Sequence, residues 1–68
     1  MITKVKDLQP GTYFLTTGDG SSFLYDGKRI TRLHDGVYLD GIFTPETTVF
    51  SVRKALAVCA ANEYRAGR

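Results

Sequence analysis

The chain has 68 residues with one cysteine and one histidine, which excludes an intramolecular disulfide and leaves a Cys/His zinc site short of ligands. An apolar fraction of 43% and a charged fraction of 24% are typical of a folded domain and argue against disorder. The net charge of +2 excludes little, and no apolar run approaches the roughly 18 to 20 residues that cross a bilayer.

These limits predict a single domain over residues 1–68 with a thin core, because so short a chain buries only about 60% of its unfolded surface. Residues 1–11 lack the apolar segment of a signal peptide, and an unpaired cysteine suits a reducing compartment. We therefore expect a cytoplasmic protein without a membrane segment.

The first 43 residues predict a series of short β-strands. Val5 and Leu8 form a lead-in that covers one end of the core, and Pro10-Gly11 marks a turn. Alternating β-prone residues then predict strands at 12–17, 21–25, 28–33, 37–39 and 42–43. In the hairpin formed by the second and third of these strands, Phe23 is expected roughly opposite Ile30.

Four Asp-Gly pairs separate these segments, at residues 19–20, 26–27, 35–36 and 40–41. Asp-Gly favours type I′ turns, in which both central residues take positive φ, so the three later pairs predict hairpin corners. Their spacing does not match the ligand series of a calcium loop. The first pair leads into a strand rather than a helix, which disfavours a phosphate-binding loop.

The C-terminal part predicts a last strand followed by a helix. Thr44 followed by Pro45 is also typical of a helix start, so strand and helix are alternatives for residues 45–51. We place the strand at 47–51 and the helix at 52–66, capped by Ser51, with Arg65 in its last turn and Gly67 just beyond it. An apolar stripe is expected to pack this helix on the sheet, with Cys59 as a small buried hydrophobe; it consists of Val52, Leu56, Cys59, Ala60 and Glu63.

The predicted fold class is α+β: an antiparallel meander of about five short strands over residues 1–51, with a C-terminal helix on one side. The strands form either a bent sheet or a partly open barrel of the SH3-like kind. This likeness is one of architecture and implies no function.

No residue pattern predicts an enzyme, a cofactor or a metal site. His34 and Asp35 are adjacent, and neighbouring residues of a strand point to opposite faces, so they are badly placed to act together. A solvated histidine at a strand end is the expected arrangement.

The composition favours a small non-enzymatic module that docks on a partner protein, as regulators and inhibitors do. Four tyrosines cannot all be buried in so small a domain, and tyrosine is enriched at interfaces. The candidate partner-binding residues combine aromatic and basic side chains: Tyr25, Lys28, Arg29, Arg32 and Tyr38, with Arg53 and Lys54 as additions.

Two alternatives remain open. A nucleic-acid-binding barrel would use the same basic and aromatic hairpin, with bases stacking on Phe23, Tyr25 and Tyr38. A homo-oligomer would associate through the helix face or a strand edge.

Overall fold

A computed structural model describes residues 1–18, 20–39, 41 and 43–66 and shows one five-stranded antiparallel sheet with a C-terminal helix. The elements are β1 (Ile2–Lys4), β2 (Thr12–Thr16), β3 (Ser22–Tyr25), β4 (Ile30–Arg32), β5 (Thr48–Val52) and α1 (Lys54–Ala66), with a 3-10 turn at Val5–Asp7. The strand order is β1-β5-β2-β3-β4. The predicted α+β class is confirmed.

One outer strand of this open sheet, β4, is partly paired along its free edge. Residues 37–39 lie along β4, where Tyr38 forms an isolated bridge with Thr31 and the Leu39 N–H donates to the Ile30 carbonyl at 2.8 Å. The predicted strand at 37–39 therefore exists only as a bridge. The expected strand at 42–43 includes Ile42, which lies outside the described residues. The SH3-like form of the fold is not confirmed.

The strand β1 was not predicted, because three residues carry too little periodicity to be recognised. It forms through pairing with β5, in a register that places Ile2 opposite Phe50 and Lys4 opposite Thr48. The third predicted strand is shorter than expected, since residues 28–29 belong to a turn and residues 33–35 to another. Leu8 is buried, as the lead-in required.

One face of the sheet carries an aromatic core. Phe14 and Val49 are fully buried, and the rings of Phe14 and Phe23 stack with centroids 5.4 Å apart. Phe43 meets both rings edge-on, at 5.9 Å from Phe14 and 5.2 Å from Phe23. Leu8 belongs to the same cluster. Residues from the connecting segments therefore cover this face.

The helix α1 packs mainly on β2 and β3. Its buried residues are Ala57 and Ala61, neither of which belongs to the aromatic core, so α1 covers the opposite face of the sheet. The predicted packing stripe is wrong: Leu56 is 49% exposed, and Cys59 is exposed. Two alanines one turn apart let the helix backbone approach the strands more closely than leucine allows.

The predicted boundary between strand and helix shifts towards the C-terminus. The segment 48–52 is paired on both sides, with β1 and with β2, and is a strand, as its β-branched and aromatic residues favour. The first helical N–H groups, of Leu56 and Ala57, donate to the Arg53 carbonyl. Ser51 therefore lies in β5 and does not cap the helix. Arg65 is in the last turn, as predicted, and Gly67 lies outside the described residues.

The close approach of α1 predicts a sharp difference between two alanine sites. Ala57→Leu should lower the free energy of unfolding by about 1–3 kcal/mol, because the added atoms have no space between helix and sheet. Ala55→Leu, at an exposed position of the same helix, should change it by less than about 0.5 kcal/mol. Urea denaturation followed by circular dichroism measures both; equal effects would contradict the packing of α1 through Ala57.

Candidate functional site

The turn between β3 and β4 is held by one carboxylate. Asp26 Oδ1 accepts the backbone N–H of Lys28 at 2.8 Å and of Arg29 at 2.7 Å, which together hold the pKa of Asp26 below its ordinary value. The left-handed conformation falls on Gly27 alone, at φ +103°, and not on Asp26. The expected type I′ geometry is therefore wrong here, since the aspartate closes the turn through its side chain.

The register of this hairpin differs from the prediction by two residues. Tyr25 lies opposite Ile30, and Phe23 lies opposite Arg32. The Tyr25 ring is half-buried against the aromatic core, and its hydroxyl donates to the Gly27 carbonyl at 3.2 Å. Tyr25 therefore supports the turn and presents little free aromatic surface.

Arg29 and Tyr38 form an exposed pair beside the turn. The Arg29 guanidinium carbon lies 4.8 Å from the centroid of the Tyr38 ring, a cation–π distance. Tyr38 is 57% exposed, which confirms that the domain leaves aromatic surface uncovered. Lys28 is exposed next to them. These three predicted residues are brought together.

Arg32, by contrast, is engaged within the chain. Its guanidinium donates to both carboxylate oxygens of Asp35, with a shortest distance of 2.7 Å. The hydrogen bonds from Arg32 hold the pKa of Asp35 at about 2. Asp35 Oδ1 also accepts the backbone N–H of Val37 at 3.2 Å, across Gly36 with φ +72°. Asp35 thus repeats the turn arrangement of Asp26, and Arg32 contributes little charge to a docking surface.

Arg53 and Lys54 are exposed and lie at the same end of the sheet as the turn at 26–29. Val52, the last residue of β5, pairs with Tyr13, and Tyr13 pairs with Leu24. One residue further along each strand, β5 reaches Arg53 while β3 reaches Tyr25 and the turn. The two basic groups that are far apart in sequence therefore share one end of the molecule.

Two basic residues of the opposite end share one carboxylate. Glu46 accepts both Lys4 and Lys6 at 2.9 Å, and these contacts, Lys4 first, lower the pKa of its carboxyl. In the described ranges no carboxylate forms an ion pair with Lys28, Arg29, Arg53 or Lys54. We call these four residues the basic end.

The environment of His34 also differs from the prediction. It lies in a turn, its side chain is only 15% exposed, and its ring stacks on Tyr64 of α1 with centroids 4.2 Å apart. Its Nε2 is 3.7 Å from Asp35 Oδ2, so the two side chains do not point to opposite faces. His34 Nδ1 and Ser22 Oγ are buried without a hydrogen-bond partner among the described residues. The sequence offers no signal for the contact with Tyr64.

The two remaining Asp-Gly pairs contain Asp19 and Asp40. Both aspartates, and with them the turns predicted there, lie outside the described residues. Across the parts of the chain that the structure describes, no three His, Cys, Asp or Glu side chains are grouped to hold a metal ion. Within the same ranges, no helix has the length and apolarity that crossing a bilayer requires.

Comparisons with protein-family models, with curated proteins and with solved structures find no match to this chain. The geometry of the basic end is therefore the basis on which its function is inferred.

The turn at 26–29 depends on a glycine, which predicts a difference between two glycine sites. Gly27→Ala should lower the free energy of unfolding by roughly 1–3 kcal/mol, because a side chain is strained at that φ. Its Cβ would also lie 3.3 Å from the Pro10 ring. Gly18→Ala, with nothing within 4 Å of its added Cβ and no positive φ, should be nearly neutral in chemical denaturation. A neutral Gly27→Ala would contradict the geometry of the turn.

The low pKa of Asp35 predicts a pH dependence. Because its folded pKa of about 2 lies below the ordinary 3.8, the charged carboxylate stabilises the fold above pH 4, and that stabilisation is lost as pH falls through 2. The wild type should therefore lose more stability between pH 4 and pH 2 than Asp35→Asn does, in denaturant titrations across that range. High salt should reduce the difference, because the pair is partly exposed. Identical pH profiles would show that the Arg32 contact does not hold in solution.

Proposed function

We propose that this protein is a small non-enzymatic binding module that docks on an acidic surface of a partner protein through its basic end. The observation that carries the proposal is the segregation of charge: no residue of the basic end forms a described ion pair, whereas Lys4, Lys6 and Arg32 are each paired. Four like charges at one end, none of them in a described ion pair, attract carboxylates of a partner and speed association with it.

Arg29 and Tyr38 are the expected centre of this surface. Arginine and tyrosine are enriched among the residues that contribute most to protein interfaces. The Asp26 carboxylate fixes the backbone at Arg29, and the Tyr38 ring restrains its guanidinium, so less side-chain entropy is lost on binding. A carboxylate of the partner would accept a charge-assisted hydrogen bond from Arg29.

The geometry favours a protein partner over a single-stranded nucleic acid. Stacking of bases requires exposed rings, and Phe23 is buried while Tyr25 is half-buried and hydrogen-bonded to the turn. Of the three candidate rings, only Tyr38 is largely exposed, and Arg29 already covers one of its sides. This leaves little of the aromatic platform that the alternative needs.

A charge reversal at Arg29 tests the proposal. Wild type, Arg29→Glu and the matched control Arg65→Glu, at an exposed position in the last turn of α1, are compared in pull-downs from lysate. Arg29→Glu should lose the specific partner, with its affinity reduced at least roughly tenfold, while Arg65→Glu should retain it. Both variants must first show the wild-type circular dichroism spectrum.

A titration with defined probes separates the two classes of partner. Amide chemical shifts are followed while an acidic peptide or a single-stranded oligonucleotide of equal charge is added. The proposal expects the peptide to shift Lys28, Arg29 and Tyr38. Tight, salt-sensitive binding of the oligonucleotide alone would favour the nucleic-acid function over docking on a protein. In the pull-downs, equal loss of the partner by Arg29→Glu and Arg65→Glu would show that the basic end is not the docking surface.

A further inference from the structure

Leu56, Ala60 and Glu63 of the stripe predicted for α1 share one side of the helix with Arg53, and this side is largely exposed. Arg53, Leu56, Ala60 and Glu63 follow one another at spacings of three, four and three residues, which places them along one side of the helix start and of α1. Leu56 is 49% exposed, and Cys59, which lies next to this side of the helix, is exposed as well. We call Arg53, Leu56, Ala60 and Glu63 the α1 stripe.

The charges of the α1 stripe oppose the dipole of their own helix. Arg53 stands at the positive N-terminal end, where the first turn holds no acidic residue, and Glu63 lies toward the negative C-terminal end. Each placement costs stability in an isolated helix. A second α1 lying antiparallel removes the conflict, because it brings a negative end beside each positive end.

Exposed apolar side chains also lie on the outer strands β1 and β5. Phe50 and Ile2 are direct neighbours across β5 and β1 and are 37% and 66% exposed. Phe50 also pairs with Leu15, which points away from the aromatic core because it follows Phe14 in β2. Ile2 and Phe50 therefore lie on the face of the sheet that carries α1.

We propose that two copies of this chain form a two-fold symmetric dimer through antiparallel packing of their α1 stripes. Arg53 of each copy pairs with Glu63 of the other, Leu56 packs against the small Ala60 of the other, and Cys59 lies near the axis. A single contact type is thus used twice, as an isologous interface requires. The α1 stripe is self-complementary in charge and in shape, so the partner that covers it is a second copy of the same chain.

This dimer shares one residue, Arg53, with the proposed docking surface. It leaves Lys28, Arg29 and Lys54 uncovered at the basic end. Arg29→Glu should therefore dimerise like the wild type, and a failure of either proposal can be recognised without the other.

Sedimentation equilibrium from micromolar to millimolar concentration tests the dimer through a charge exchange. Glu63→Arg and Arg53→Glu should each weaken dimerisation roughly tenfold, because every substitution places two like-charge contacts in the symmetric interface. The double variant Arg53→Glu plus Glu63→Arg should restore it. A monomeric wild type at millimolar concentration, or a double variant no better than the single ones, overturns the proposal.

Two flanks of the same helix provide the control for the apolar contact. Leu56→Ser should weaken dimerisation, whereas Val58→Ser should not, although Val58 is 40% exposed and loses a similar apolar surface. Circular dichroism confirms that both variants remain folded. Equal effects would mean that association is not through the α1 stripe.

Cys59, which the proposed dimer places near its two-fold axis, provides a further test. Under mild oxidation Cys59 should form an intermolecular disulfide faster than a thiol moved to position 58 in the variant Val58→Cys plus Cys59→Ala. The cross-link yield should fall in Glu63→Arg and recover in the charge-exchanged double variant. Equal rates for the two thiol positions, or a yield insensitive to Glu63, would show random collision and overturn the proposal.

Discussion

The packing of Phe14 in the central strand is the interaction on which the rest of the structure depends. β2 is the strand paired with both β3 and β5, and Phe14 is buried completely while its ring contacts Phe23 and Phe43. A domain of this size has few other buried side chains, so this aromatic cluster supplies most of the apolar stabilisation that holds the segments together. Both faces of β2 are needed, because α1 packs on the other side through Ala57.

Aspartate has a uniform role at the two corners that the structure describes. Asp26 and Asp35 each accept the backbone N–H two residues further on, across a glycine with positive φ. The Asp26 carboxylate closes its turn and attracts Arg29 without forming an ion pair with it, whereas Asp35 closes a turn and also pairs with Arg32. The same local chemistry that closes the turns therefore determines which cations are available to a partner.

The two proposed surfaces follow from what this small fold cannot cover. The sheet is wider than the single helix packed on it, so Phe50 and Ile2 remain partly exposed and Leu56 faces outward. Charge is divided in the same way: Glu46 pairs with both Lys4 and Lys6 at one end of the sheet, whereas no described ion pair involves Arg29 or its neighbours at the basic end. The proposed docking and dimer surfaces follow this division.

Local patterns predicted the strands at residues 12–16 and 22–25, the C-terminal helix and the α+β class, because alternation and helix-stop signals act over a few neighbouring residues. The same patterns could not predict β1, the register of the β3–β4 hairpin, or the choice of Ala57 over Leu56 as the buried residue. Each of these depends on contacts with other segments of the fold. The buried helix residue, for example, is decided by the close approach of α1 to the sheet, which selects small residues whatever the apolar periodicity. Sequence by itself thus determined most of the elements and the candidate residues of the site. Only the tertiary structure decided that Lys28 and Arg29 share an end of the molecule with Arg53 and Lys54, because strand pairing aligns segments that lie far apart in the chain.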